Sequence, residues 1–287
     1  MNYKTKTAYL FLFPTVVIVI SLLISPVFSG IGMSFFKERL SGELKFMGID
    51  NFIILFNDPR FINNITLTFV YIFGVVILST PLAYISAIII TTKLKAIKFF
   101  RPIFLLPWIV APVVSATLLF TMTDPSMGFL NEVFSFFAGE ETYIRTDPVY
   151  SMVVVILHSF WRSFPFMMIF LAAGISSIPK EIYDAAIVDG ANIFQRFFYM
   201  TFPLTKLHLS MVILMISMWT MQDAESIYAL TGGGPGYSTE VLAVRLLKEA
   251  FINFNMYKGA VIGVVFILIS IIFVILYVLN TKSIRNV

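Results

Sequence analysis

Few residues in this chain could make or break a covalent bond. It contains no cysteine, which excludes disulfides, thiolate metal sites and cysteine nucleophiles. The two histidines, His158 and His208, lie far apart in sequence and form no recognisable metal cluster. No Ser-His-Asp set, His-Glu-x-x-His pair or equal-depth pair of intramembrane aspartates is apparent. Gly232–Gly236 invites comparison with a phosphate-binding loop. Such a loop needs Gly-Lys-Ser/Thr, however, and here Pro-Gly-Tyr-Ser follows. What remains is recognition without reaction. Trp219, Gln222, Asp223 and Ser226 recur at helical spacing in one apolar run. Trp161 and Arg162 lie in another, beside Phe164, Pro165 and Phe166. Rings can cover the CH faces of a sugar, while amide and carboxylate groups bond its hydroxyls. The same residues could instead form interhelical hydrogen bonds and an Arg162–Asp223 pair. At 1.5 Å per residue the two differ in depth by roughly 10 Å. A direct pair therefore needs Arg162 to extend outward, or a break at Pro165 to shift the register.

The elements that must position these groups follow from composition. Of 287 residues, 59% are hydrophobic and 13% charged, against about 25% charged in soluble domains. Crossing a hydrocarbon core of about 30 Å takes roughly 20 helical residues. Six stretches qualify: about Tyr9–Phe36, Asn64–Thr91, Pro102–Met122, Val149–Gly174, Leu207–Ala229 and Met256–Leu279. The expected fold is an all-α, multi-pass membrane protein in which residues 1–287 form a single transmembrane domain. Lys4 and Lys6 ahead of an apolar run could mark a cleaved signal. The run continues past a usual signal core, so a retained helix is expected.

Basic loops stay on the cytoplasmic side. With both termini cytoplasmic, the inner segments hold Lys4, Lys6, Lys93, Lys95, Lys98, Arg101, Lys180, Arg196, Lys206, Lys282 and Arg285, against Glu181, Asp184 and Asp189. Acidic residues outnumber basic ones in the outer segments. The basic loop Thr92–Arg101 is the clearest marker of direction.

The cytoplasmic segment between the fourth and fifth spans, about residues 177–205, carries the most information. Ser177 suits a helix cap, Pro179 a first turn and Glu181 the positive helix end. A short helix is predicted from about Lys180 to Asp189, ended by Gly190 in the left-handed conformation. A second is predicted from near Ile193, stopping before Pro203. Ile182, Ala185, Ala186 and Asp189 fall on one face, with Tyr183 and Ile187 adjoining. Helices that lie on lipid are usually rich in Lys and Arg. This one presents Glu181, Asp184 and Asp189, which favours docking on protein.

The segment resembles the EAA loop of binding-protein-dependent ABC importer permeases, where Glu-Ala-Ala precedes Asp-Gly-Ala and, later, Leu-Pro. Here stand Asp184-Ala185-Ala186, Asp189-Gly190-Ala191 and Phe202-Pro203, so Asp replaces Glu and Phe replaces Leu. Gly232, Gly233, Gly234 and Pro235 resemble the Gly-Gly-Gly-Pro segment of the sugar-importing branch, the maltose and multiple-sugar type. Phe46–Phe52, Asp58–Phe61 and Leu105–Trp108 add further similarity. The resemblance implies the ABC importer permease fold, with residues 180–189 as a coupling helix in an ATPase cleft. It implies as partners a second, homologous or identical permease, two ATPase subunits, an extracytoplasmic sugar-binding protein, a sugar and membrane lipid. No nucleic acid is implied. ATP and Mg²⁺ would sit on the ATPase subunits, leaving this chain without cofactor, metal or enzymatic activity. Coupling would fall to Glu181, Tyr183, Asp184, Ala185, Ala186, Asp189, Gly190 and Pro203. The glycine segment is either a tight external turn or a contact for the binding protein at the pathway mouth. A permease for another solute, or an ion-coupled transporter, is the alternative reading.

Overall fold

A computed structural model of the chain describes residues 3–38, 43–92, 97–139, 141 and 143–285. Side chains are described for all of these except 3–9, 97–101 and 282–285. Lys93 and Lys95 of the basic loop lie outside the described residues, as do the side chains of Lys4, Lys6, Lys98, Arg101, Lys282 and Arg285.

Helices α1 (Tyr3–Ile18) and α2 (Ser25–Met33) join through a π-helical turn, Val19–Ile24. The first span stops at Met33 and not at Phe36. Ser34 closes it, its hydroxyl donating to the Ile31 carbonyl at 2.6 Å. Phe36 instead opens a hairpin, β1 (Phe36–Glu38) against β2 (Leu44–Phe46), with Phe36 opposite Phe46. Lys37, Glu38 and Lys45 keep this ribbon out of hydrocarbon, and the apolar pattern gave no sign of it. α3 (Asp50–Phe56) and α4 (Pro59–Thr91) follow.

The third expected span, Pro102–Met122, is broken. α5 (Ile97–Ile109) and α6 (Pro112–Met122) meet at 91° across the break. Ala111 precedes a proline and is extended, φ −58° and ψ 134°, as the proline ring demands of its neighbour. α7 (Phe129–Ala138) is a short apolar helix. The turn before it is tied by Arg145, 3.2 Å from Asp124. Hydrogen bonds from the Ser126 hydroxyl and N–H, with Arg145 nearby, hold the Asp124 carboxyl below its ordinary range. α8 (Pro148–Ser176) is capped by Asp147, which accepts from Val149 N and Tyr150 N at 2.8 and 2.9 Å. Pro165 does not interrupt α8.

The rest comprises α9 (Lys180–Val188), α10 (Ile193–Arg196), a π turn at Phe197–Thr201, α11 (Phe202–Gln222), α12 (Ala224–Thr231), α13 (Leu242–Leu247), a π turn at Lys248–Ile252 and α14 (Met256–Arg285). The predicted fifth span, Leu207–Ala229, is displaced: the apolar helical run is Ile193–Gln222, and the chain breaks at Asp223. Among the described residues five helices are long and apolar enough to cross a membrane, or six if the bent pair is one span.

The chain packs as two compact units, Met1–Ile62 with Leu246–Ile269, and Asn63–Arg245 with Ser270–Val287. In the first, Gly259 lies against Ala250, and Lys258 Nζ meets the buried Glu249 carboxylate at 2.5 Å. In the second, α8 packs on α5 and α11, and α12 on α6. Glycines let the helices approach: Gly74 faces Ile156, and Gly174 faces His208.

A Cβ on Gly174 would lie 2.8 Å from the His208 ring. Gly174→Val should therefore cost about 1–3 kcal/mol by overpacking, read as a lower thermal unfolding midpoint in mild detergent. Gly30→Ala, at a helical site where a Cβ meets nothing within 4 Å, should not lower the midpoint.

Candidate functional site

The loop after α8 is built from short, well-terminated pieces. Ser177 turns out to close α8, donating to the Gly174 carbonyl at 2.7 Å, and does not cap α9. Pro179 takes the cap position of α9, extended at ψ 136°. The exit is a Schellman motif: Ala191 N–H donates to Ala186 O at 2.9 Å and Gly190 N–H to Ile187 O at 3.1 Å. Gly190 stands at φ +78°, a conformation that costs glycine nothing.

The face of α9 differs from the one the spacing suggested. Ala186 is 1% exposed, packed toward its own chain on the side where the Tyr183 hydroxyl bonds Thr201 Oγ1 at 2.9 Å. Ala185 lies on the open side with Glu181 and Asp184, and Val188 is 87% exposed. Glu181, Asp184, Ala185 and Val188 follow i, i+3, i+4 and i+7, so they share one helix face. Asp189, Ile187, Ile193, Phe194 and Tyr199 are also exposed. The result is an apolar surface with a carboxylate fringe.

α10 begins with a capping box between Asn192 and Gln195, at 2.9 and 2.7 Å. It does not stop before Pro203. The π turn Phe197–Thr201 shifts the bonding register by one residue, and Phe202 N–H closes it on Phe197 O. Pro203 follows directly on this π turn, where the shifted register accommodates its missing N–H. α10 therefore runs into α11 as one apolar helical stretch, Ile193–Gln222. Its near end is fixed by Thr205, whose hydroxyl bonds Tyr84 at 3.0 Å.

At the far end stands Asp223, whose backbone (φ −76°, ψ 76°) leaves the helix. Its Oδ1 accepts from Ser226 N–H at 3.1 Å and caps α12. Its Oδ2 accepts from Tyr71 at 3.1 Å and Ser159 at 3.4 Å, and lies 3.8 Å from Arg162 Nη1. The Tyr71 and Ser159 hydroxyls also meet, so one can donate to the other while the other donates to Asp223. Arg162 Nη1 donates to Ser226 Oγ at 3.3 Å. Arg162 and Asp223 therefore meet across α8 and α11, although Pro165 leaves α8 uninterrupted. Trp219, Gln222, Asp223 and Ser226 thus do not form a stripe on one helix. Ser226 is buried, whereas Trp219 and Gln222 are exposed. Trp219 packs on Phe166 with centroids 4.6 Å apart, and Phe166 on Trp108 at 5.9 Å. Trp161 lines a separate apolar cavity of about 420 Å³ with Ser115, Phe134 and His158, the last bonded to Ser115 at 2.9 Å.

The glycine segment is a fixed shape. Gly232, Gly233 and Gly236 have positive φ, and the Gly234–Pro235 peptide is cis. The Thr231 and Thr239 hydroxyls meet at 2.6 Å, and Thr239 donates to Gly234 O at 2.8 Å. Beneath lie the buried Asn64, Glu240 and Arg245. Asn64 donates to the Glu240 carboxylate at 3.2 Å and accepts from Arg245 at 2.8 Å. Sequence reasoning missed these three, along with Tyr71 and Ser159. Polar residues set into an apolar run, such as Asn64 and Tyr71 in α4, were the available signal. Among the described residues no group of three or more metal-ligating side chains forms.

Comparison with known proteins agrees with this architecture. Residues 7–286 match the sequence model of a family described as the binding-protein-dependent transport system inner membrane component. The chain is 29% identical to the trehalose/maltose transport system permease protein MalF of Thermococcus litoralis, over 96% of this chain and 93% of MalF. It is 34% identical to a probable ABC transporter permease of Pyrococcus horikoshii, over 93% of each. A solved bacterial alginate ABC transporter, in complex with an alginate pentasaccharide-bound periplasmic protein, shares the fold. Its matching chain gives a TM-score of 0.80 at 22% identity, covering 96% of this chain and 93% of that one.

Removing one member of the partly buried Arg162–Asp223 pair strands the other. Arg162→Met should lower the thermal midpoint and impair transport. Adding Asp223→Asn, which keeps the cap acceptor for Ser226 N–H, should recover part of both losses. Strictly additive losses in the double variant would contradict this coupling.

Proposed function

The chain belongs to the family of inner membrane components of binding-protein-dependent transport systems, and from that premise we propose that its cargo is a sugar and that α9 couples it to cytoplasmic ATPases. In this reading the chain forms half of a translocation pathway and a second permease forms the other half. Two ATPase subunits carry ATP and Mg²⁺, and an extracytoplasmic binding protein delivers the sugar. Both termini and α9 face the cytoplasm, in keeping with the basic residues of the inner segments.

The observation that carries the coupling assignment is the open face of α9. Val188, Ile187 and Phe194 are exposed beside Glu181, Asp184 and Asp189. An exposed apolar patch fringed by acid suits a basic-rimmed protein cleft better than an anionic membrane surface. Gly190 and the Schellman motif set the exit angle, and Tyr183 ties the helix to Thr201 in the π turn. A displacement of α9 is thereby passed to α10–α11, whose far end is the break at Asp223. The π turn at Phe197–Thr201 carries this continuity past Pro203.

Relatives named for trehalose/maltose and alginate transport support a sugar cargo. Trp219 and Gln222, exposed on adjacent turns of α11 beside Phe166, suit the CH face and hydroxyls of a pyranose. Trp161 is a further aromatic surface. Asp223, Arg162 and Ser226 act mainly by holding the break that sets where Trp219 and Gln222 point. Gly232–Gly234 and Pro235 offer the binding protein a fixed external loop.

Affinity purification in mild detergent should bring down an ATPase and a second permease with this chain. Glu181→Lys with Gly190→Pro should lose the ATPase and retain the second permease. Trp219→Ala should reduce uptake of the transported sugar at least tenfold while leaving assembly intact. Absence of any ATPase from the unaltered chain would overturn the coupling assignment.

A further inference from the structure

A groove of about 620 Å³ runs between α4, α11 and α14 in the second unit. One end is polar: Lys206 and Ser210 from α11, Tyr277 and Asn280 from α14. Away from that end the wall becomes apolar, formed by Phe73, Val76, Ile213, Leu214 and Phe273. Along α11 the lining extends from Phe202 to Ser217, and the part beyond Lys206 rises roughly 16 Å. That is about half a 30 Å hydrocarbon core, or one leaflet.

Lys206 gives the polar end its character. It is exposed, and its only recorded interaction among the described residues is with the Phe202 ring, at 5.9 Å. No carboxylate lies within ion-pair distance of it among those residues. It sits four residues inside the start of α11, at the end that adjoins α10 and the exposed loop. A cation there has hydrogen-bonding side chains beside it and an apolar trough beyond.

We propose that this groove binds one anionic phospholipid, its phosphate at Lys206 and Asn280 and an acyl chain along Ile213, Leu214 and Phe273. The Lys206 ammonium supplies the charge for the phosphodiester, and the Asn280 amide and Tyr277 hydroxyl supply donors. Basic pockets between membrane helices on the cytoplasmic side recognise anionic headgroups in this way. Because α11 carries both this groove and the continuation of the loop, a bound lipid would brace the helix near the site where displacement enters it. The inference needs the membrane location of the chain but neither the sugar assignment nor the ATPase contact.

The test is native mass spectrometry of the assembled transporter, delipidated and titrated with phosphatidylglycerol or phosphatidylcholine. Phosphatidylglycerol should bind more tightly, by about fivefold, the worth of one lysine near an anionic surface. Lys206→Gln should remove that preference, Lys206→Arg should keep it, and Leu214→Trp should weaken both lipids. Equal binding of the two lipids by the unaltered transporter would overturn the proposal, as would an undiminished preference in Lys206→Gln. So would efficient crosslinking of Leu214→Cys to the other permease, which would assign the groove to a protein helix. If Lys206→Gln does not assemble, the preference of the unaltered transporter and of Lys206→Arg still decides.

Discussion

A backbone that leaves its helix inside hydrocarbon must find hydrogen-bond partners within the protein. The Asp223 carboxylate meets that demand for the break between α11 and α12. One oxygen caps α12 through Ser226 N–H, and the other gathers Tyr71, Ser159 and Arg162. A lone aspartate or arginine at such depth costs several kcal/mol. Paired with each other and with hydroxyls, each makes the other tolerable, and a kink can persist where a straight helix would be simpler to build. Such a pair is weak evidence of added stability. What it supplies is a defined place and direction for the turn.

That fixed turn gives meaning to the continuity of α11. The run from Ile193 to Gln222 is carried past Pro203 by a π turn and closed by Asp223. At its near end the capping box of α10, the Tyr183–Thr201 bond and the Tyr84–Thr205 bond tie it to α9 and α4. Little slack exists between the exposed face of α9 and the pair Trp219 and Gln222. The proposed coupling to ATPase subunits needs such a linkage if energy released there is to reorganise the pathway. The glycine segment follows the same principle: positive-φ glycines set its shape, and the Asn64, Glu240 and Arg245 cluster fixes its base.

Length and apolarity made the spans legible, and the sequence 185–191 made the exit of α9 legible, because each depends on local chemistry. The breaks were harder to read. Ala111-Pro112 was a visible signal, since a residue before proline avoids the helical region, yet the apolar run across it hid the bend. At Asp223 the hydrophobic pattern continues through Ala224–Ala229, and only the possibility of an Asp cap with Ser226 N–H three residues on hinted otherwise. Tyr71 and Ser159 as partners are long-range facts that no local pattern encodes. The face of α9 was misread for a related reason. Ala185 and Ala186 are alike in sequence, and only the inward bond of Tyr183 to Thr201 decides which of them is covered.

The absence of native cysteine makes single-cysteine crosslinking the most direct measurement of the central claim, that the open face of α9 meets an ATPase. Val188→Cys, on the exposed side, should crosslink to an ATPase subunit in native membranes, with a yield that changes on adding ATP. Ala186→Cys, covered by its own chain, should not crosslink. Crosslinking from Ala186 in preference to Val188, or none from Val188 in membranes where the transporter is active, would contradict the account.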